Sequence, residues 1–558
     1  MNVRFPIATI AILFLTAGSV SSICAEELPP RTALDDYIEK PDDSYSWRIV
    51  SAESNDGIKT IVVDMISQNW LTREDVNRTE WQHWVTLSVP EDVTSNIGML
   101  FIGGGRNGRD APTGPNSRTT AIAKATGTVV AELQMVPNQP LIFHDDGKNR
   151  SEDDLIGYTW DQFLQNGDPV WLARNPMIKS AVRAMDTMTA VMASATGGGY
   201  TVDRFVVAGG SKRGWTTWLT GAMDDRVVGI IPIVIDVLNT DVSMRHHFAA
   251  YGFWAPSVGN YVDHRIMQRM DHPRLKMLYE LVDPYFYRHR LTMPKLLINA
   301  AGDQFFLPDS SQFYFDELRG ENYLRYVANA DHGLGGTDAI ETMIAFYSLI
   351  VQGKKPPQFS WAEGSGGSLM VLPQEQPQEV RLWQATNPQA RDFRVETLGR
   401  KYVSSVVTAN DDGMYVATVA RPKTGWTAYF LELTYDVGAA TPLKLTTEVK
   451  ITPDSLPFAD KLVDLPTSVT LVCHAPSELI ATQIAEEVTV LAQDQGFAVD
   501  GLDGVARGQQ IYLNWEPTSD FTEGARFLRE FLAERECLDV AYQLESGSEI
   551  TLPPRTAD

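Results

Sequence analysis

The sequence predicts an α/β protein: a doubly wound, mostly parallel sheet with an inserted cap, followed by a β-sandwich and a small α+β domain. Three observations carry this. Between residues 97 and 351, short apolar runs alternate with longer stretches of helical periodicity, as do strands buried on both faces and the helices that cover them. One of these runs, Phe205-Val206-Val207-Ala208, passes through Gly209-Gly210-Ser211 directly into a helical stretch. From Phe359 to about Ile451 only β-like runs remain, separated by Gly and Pro turns.

The 558 residues exceed what one core fills, so several domains are expected. A formal charge of −24 argues against a nucleic-acid partner. At the N-terminus, Arg4 precedes an apolar run from Ile7 to Val20 and the small-residue stretch Ser-Ser-Ile-Cys-Ala at 21–25. This predicts a secretory signal over 1–25 and an exported protein, periplasmic or secreted. Cys24 offers a lipid-anchored alternative, which the bulky Ile23 before it disfavours. No later stretch suggests a stable membrane span. Cys473 and Cys537 remain after cleavage, and an exported compartment permits a disulfide without establishing one. There is no C-x-x-C and no H-E-x-x-H, and the nine histidines are scattered, so no metal and no cofactor are expected.

In chain order, residues 26–45 read as an irregular lead-in. Trp47 to Ala52, Lys59 to Ser67 and His83 to Pro90 alternate like antiparallel edge strands. Ile97 to Ile102 and Gly127 to Leu133 are buried strands, the first ending in Gly103-Gly104-Gly105. Asp153 to Leu164 is helical. Asn175-Pro176 opens a long helix with Ile178, Val182, Met185 and Met192 on its core face. After the central strand, a helix runs from Lys212 to about Met223, and Val227 to Val234 is a strand. The aromatic stretch at about 240–290 interrupts the alternation and predicts a cap over the site. A strand from Pro294 to Ala300, a helix from Pro308 to Leu318, a strand from Asn322 to Val327 and a helix from Gly336 to Val351 complete a domain spanning 26–355. The sandwich occupies 356–455, with strands at Ser368 to Leu372, Glu379 to Ala385, Arg394 to Glu396, Gly413 to Ala420, Thr427 to Tyr435 and Leu443 to Ile451. The α+β domain, 460–550, has strands at 468–473, 510–515 and 538–544 and helices at 477–494 and 522–535.

A strand that turns into a helix around a serine is the layout of a nucleophile elbow. A serine hydroxyl needs a base to take its proton, and the base needs an orienting acid. Asp303 follows the strand ending at Ala300, and His332 follows the strand ending at Val327, so Ser211, Asp303 and His332 form a candidate triad in the order serine, acid, histidine. The oxyanion donors are expected at the Lys212 N–H and at Gly104, with Gly105 as the alternate. Asp236 is a rival acid. Asp309 and Asp331 lie close in sequence to the favoured pair, and Asp309 is expected to cap the helix after it. His246, His247, His264, His272 and His289 are read as structural. The Lys212 or Arg213 side chain is a candidate for assisting the oxyanion or holding a substrate carboxylate.

Several stretches resemble the PhoPQ-activated pathogenicity-related protein family, which includes autocrine proliferation repressor-like proteins. They are Val136-Pro137-Asn138-Gln139-Pro140, Glu152 through Trp160, Asn175 through Asp186, and Gly209-Gly210-Ser211-Lys212-Arg213-Gly214-Trp215 through Asn239. The resemblance runs over roughly residues 30–450 and implies an α/β-hydrolase-like domain, usually exported, without a defined reaction. The family's likeness to prolyl-oligopeptidase-type enzymes suggests peptides. The Gly-Gly-Ser-Lys-Arg-Gly run resembles the elbow of glucuronoyl esterases and suggests carbohydrate esters. The expectation is a serine hydrolase acting on a small-molecule ester or peptide. The alternative is a secreted signalling or binding protein on the same scaffold.

Overall fold

The computed structural model describes residues 31–464 without interruption and, beyond them, mainly strand segments between 469 and 550. The expected signal, the Cys473–Cys537 pairing and the helix at 522–535 lie outside the described residues. So does the helix at 477–494, apart from a helical turn at 481–484.

The expected irregular lead-in contains a helix, α1 (Ala33–Glu39). Thr32 and Asp35 close its first turn reciprocally, each side chain accepting from the other's backbone N–H. The strands that follow are β1 (Ser46–Asn55), β2 (Ile58–Asn69), β3 (Glu80–Pro90), β4 (Ile97–Ile102), β5 (Val130–Leu133), β6 (Arg204–Gly210), β7 (Val227–Ile233), β8 (Lys295–Ala300) and β9 (Asn322–Val327). They lie in the order β1-β2-β3-β5-β4-β6-β7-β8-β9. The pairs β1–β2, β2–β3 and β3–β5 are antiparallel, and every later neighbour in this series is parallel.

Helices cover both faces of this sheet. On β6, Phe205 and Val207 join the core under α4 (Arg174–Ala193) and α5 (Lys212–Met223). Val206 and Ala208 point the other way, toward α2 (Ser117–Thr126) and α9 (Ala339–Val351). Met185, Met188 and Met192 of α4 are all core packing. Between β7 and β8 the aromatic insertion is largely helical: α6 (Thr240–Tyr251), α7 (Gly259–Asp263) and α8 (Pro273–Val282). Buried Asp283 holds its start, accepting from the Thr240 N–H at 2.7 Å and the Thr240 hydroxyl at 2.9 Å. The expected helix from Pro308 to Leu318 is instead two 3₁₀ turns, Ser310–Phe313 and Phe315–Glu317. Tyr314 between them leaves helical conformation, and its hydroxyl donates to Asp236 at 2.6 Å.

The later strands are β10 (Phe359–Glu363), β11 (Ser368–Pro373), β12 (Glu379–Asn387), β13 (Val403–Val406), β14 (Tyr415–Thr418), β15 (Trp426–Tyr435), β16 (Leu443–Thr446) and β17 (Lys450–Thr452). Arg394 to Glu396, expected as a strand, lies at the start of a helical turn, α10 (Val395–Leu398). The expected run to Ile451 is split into β16 and β17, and Thr447 between them accepts from the Leu431 N–H through its hydroxyl at 3.2 Å. β10-β11-β14 form a separate layer, whereas β16-β15-β12-β13 extend the main sheet beyond β9, with β17 on β15. Leu369 and Val371 of one layer and Leu431 and Leu433 of the other share a core with Met343 and Phe346 of α9. The change of element type at 355/356 is therefore not a break in the core. Beyond 464, β18 (Val469–His474), β19 (Asp503–Arg507), β20 (Gln510–Trp515), β21 (Leu538–Leu544) and β22 (Glu549–Ile550) form an antiparallel sheet in the order β19-β20-β18-β21-β22.

The join to β9 is narrow. Leu324 faces Thr446, and the Tyr326 N–H donates to the Thr446 hydroxyl at 3.0 Å. Buried Arg325 of β9 pairs with Glu432 of β15 and, at 2.8 Å, with Asp338 ahead of α9. Removing one partner of a buried ion pair strands the other charge. Glu432→Ala is expected to cost about 3 kcal/mol in urea unfolding, far more than a change at an exposed pair such as Arg48–Asp64.

Candidate active site

Ser211 stands where β6 gives way to α5, with φ 59° and ψ −127°. A side-chain-bearing residue adopts this region only where its surroundings over-determine it. Here the cause is the crossing of strand and helix. A Cβ on Gly209 would lie 2.7 Å from the Arg213 carbonyl oxygen, and one on Gly214 would lie 3.0 Å from the Gly209 carbonyl oxygen. The glycine found one position late in the sequence, after Arg213, is thus the helix's own point of contact with the strand. Position 213 is left free to carry a long side chain outward.

Asp303 and His332 meet. Nδ1 of His332 lies 2.8 Å from Oδ2 and 3.0 Å from Oδ1 of Asp303, which is 4% exposed. Oδ1 also accepts from the Phe305 N–H at 2.7 Å, and the His332 N–H donates to Oε1 of Gln304 at 3.1 Å. A carboxylate can only accept, so this contact puts the imidazole proton on Nδ1 and the lone pair on Nε2. Nε2 is buried and has no hydrogen-bond partner. The Ser211–His332 hydrogen bond is therefore not formed. Phe305 lies against the imidazole, with centroids 4.4 Å apart, and Phe305 and Phe306 both border the cavity that contains Ser211.

The segment between β12 and β13 braces both loops. Asn329 exchanges two hydrogen bonds with the Tyr402 backbone, each 2.8 Å, and the Val395 N–H donates to the Gly302 carbonyl at 2.9 Å.

The glycine turn after β4 distinguishes its three members. The Gly103 N–H is spent on the Leu133 carbonyl at 2.7 Å, while the Gly104 N–H has no acceptor among the described residues. A Cβ at Gly104 would lie 2.7 Å from Nη2 of Arg213. Gly105 has φ 120°. The Lys212 N–H, at the first turn of α5, likewise has no acceptor there.

The Lys212 and Arg213 side chains are occupied. Arg213 forms a two-pronged pair with Glu152 at 2.7 and 2.8 Å and donates through Nε to the Val136 carbonyl at 2.5 Å. Lys212 reaches Glu152 at 2.8 Å and Asp153 at 3.2 Å. These two cations hold the Glu152 carboxyl down at about 2, against the opposing pull of burial. Nothing local in the sequence marks Glu152 as a partner of the elbow, since it lies some sixty positions before Lys212 and Arg213. Arg174, at the start of α4, is 1% exposed and borders the same cavity as Ser211; nothing in a helix-start pattern marks such a buried charge.

The rivals lie elsewhere. Asp236 is buried and accepts from the Tyr314 and Tyr326 hydroxyls at 2.6 and 2.5 Å. Asp309 makes no helix cap but pairs with Arg391 at 2.6 Å and His246 at 3.0 Å. Asp331 closes its own turn through the Gly333 N–H. His247 accepts from the Ala255 N–H, His264 pairs with Asp154, and His272 caps α8; His289 is not among the residues bordering the Ser211 cavity. Among the described residues no three His, Cys, Asp or Glu gather as a metal site requires. None of the described helices is long and apolar enough to cross a membrane.

Ser211 borders a narrow cavity of about 50 Å³. Its walls are mostly apolar, with Trp160, Trp215 and Ile235 from the body and Met244, Met267 and Tyr279 from the insertion. On the other side, His332 and Gly104 border a wider depression with Arg118 and Glu132.

A sheet in this strand order, with its serine at the strained turn after β6 and an acid and a histidine after β8 and β9, has the α/β-hydrolase fold. The chain belongs to the PhoPQ-activated pathogenicity-related protein family, whose description matches residues 34–394. It is 38% identical over 456 residues to autocrine proliferation repressor protein A of Dictyostelium discoideum, covering 76% of this chain and 92% of that protein. Among solved structures it is similar to acetyl xylan esterase 1 from Thermoanaerobacterium sp., at 12% identity and a TM-score of 0.40 over 57% of this chain and 93% of that one. It is also similar to the glucuronoyl esterase from Solibacter usitatus, at 14% identity and a TM-score of 0.31 over 52% and 83%.

Two predictions follow from the geometry. Gly209→Ala drives a methyl group into the helix backbone and is expected to cost about 2 kcal/mol in urea unfolding. Burial pushes the Asp236 carboxyl up to about 8, despite the tyrosine hydroxyls that favour its ionised form. From the ordinary aspartate value near 4 up to about 8, the folded state thus holds a proton that the unfolded chain gives up. This contribution is complete at the acidic end and is lost as pH rises. Asp236→Asn cannot ionise, so its Tm relative to wild type should climb steadily from about pH 5 to about pH 8.

Proposed function

We propose that this protein is an exported serine hydrolase, periplasmic or secreted, that cleaves an ester or peptide bond by acyl transfer. Ser211 Oγ attacks the substrate carbonyl carbon. Nε2 of His332 takes the hydroxyl proton and later returns it to the leaving group. Asp303 keeps the imidazole in the Nδ1–H form and stabilises its charged state. The N–H groups of Lys212 and Gly104 receive the negative oxygen of the tetrahedral intermediate. Water then repeats the sequence on the acyl-enzyme. The chemistry needs no cofactor.

The observation that carries this reading is the Asp303–His332 pair, whose outward nitrogen is left without a partner. Substrate binding is the step that brings that nitrogen and the Ser211 hydroxyl together, as catalytic hydrogen bonds commonly tighten only in the complex. A fluorophosphonate probe should label the wild type and not Ser211→Ala, and His332→Ala should slow labelling by about 10³-fold. Labelling that persists in Ser211→Ala removes this serine from the mechanism.

The Dictyostelium relative's name, a proliferation repressor, favours a second reading: a secreted signalling protein on a hydrolase scaffold. A biological effect undiminished in Ser211→Ala would select it.

A further inference from the structure

Three cations border the serine but only two carboxylates answer them. Glu152 and Asp153 are taken by Lys212 and Arg213. Asp153 also accepts from the Tyr261 hydroxyl at 3.1 Å. Arg174, in the first turn of α4, is 1% exposed and borders the same cavity as Ser211. Its Nη1 donates to the Lys212 carbonyl at 3.0 Å, its Nε has no hydrogen-bond partner, and its guanidinium lies 4.4 Å over the Trp215 ring. It makes no direct ion pair among the described residues; the Tyr261 hydroxyl lies within its reach, and the nearby Asp153 carboxylate is shared with Lys212 and Tyr261. An arginine does not shed its proton to escape burial. A charge held out of water without a carboxylate in direct contact is costly, and such a charge in a cleft marks a functional position.

We propose that the cavity behind Ser211 recognises a carboxylate carried on an otherwise apolar substituent, with Arg174 as its counterion. The planar guanidinium suits a planar carboxylate. The neighbouring Asp153 carboxylate disfavours a doubly charged phosphate. The aromatic and aliphatic walls take the apolar part, so a ligand with its anion at the far end of a hydrocarbon segment fits both halves. The carboxylate-holding role considered for Lys212 or Arg213 thus passes to the one of these three cations with no carboxylate in direct contact. That this ligand is a substrate rests on the hydrolase reading; the binding itself does not.

The test is calorimetric titration of the full-length Ser211→Ala protein with phenylalkanoates, from phenylacetate to 6-phenylhexanoate, each against its uncharged primary amide. At least one carboxylate should bind about tenfold or more tightly than its amide. Arg174→Met should erase the preference and Arg174→Lys should keep part of it. If no acid in the series outbinds its amide, or if the preference survives Arg174→Met, the proposal is overturned. The first comparison needs no Arg174 variant, so misfolding of one cannot obscure it. Failure of the hydrolase reading would appear separately, as absent fluorophosphonate labelling alongside intact carboxylate binding.

Discussion

The close crossing of α5 over β6 is the constraint on which the site depends. With glycine at 209 and 214, helix backbone and strand backbone come into direct contact, and the turn between them has one conformation available. That contact holds Ser211 at positive φ at the end of the strand. The strain at the serine is small against the packing of Val206, Val207 and Ala208 beneath it, which is why it persists.

The electrostatics follow from the same turn. The residues after the serine are both basic, and left alone they would crowd the helix N-terminus with positive charge. Glu152, at the start of α3 (Glu152–Asn166), draws both toward itself and ties that helix to the elbow. Arg213 in turn packs across Gly104, so the glycine turn after β4 is positioned by the residue that closes the elbow. Glu152 thereby links three segments far apart in the chain, and Arg174, which has no carboxylate in direct contact among the described residues, lies in the cavity wall.

Much of this was legible in the sequence. Strands β4 and β6 to β9 are apolar runs bounded by turns, and residues that follow such strands collect at one rim. That is why Asp303 and His332 could be paired from order alone. What escaped depended on partners remote in sequence. The 308–318 segment has helical composition, but Tyr314 is pulled out of line by Asp236. Asp309 resembles a helix cap until Arg391, more than eighty residues later, claims it. The β strands after 359 were legible as strands. Their attachment to β9 was not, because it hangs on one register pair and on Arg325 reaching Glu432.

That attachment changes what the later β layer is for. Tyr402 grips the loop ahead of His332, and Val395 grips the loop ahead of Asp303. The two loops whose separation sets the acid–imidazole distance are thus splinted from outside the α/β body. A chain ending after α9 would keep every proposed reacting group and lose the scaffolding that keeps two of them in step. The smallest unit able to evolve as a whole therefore includes both layers.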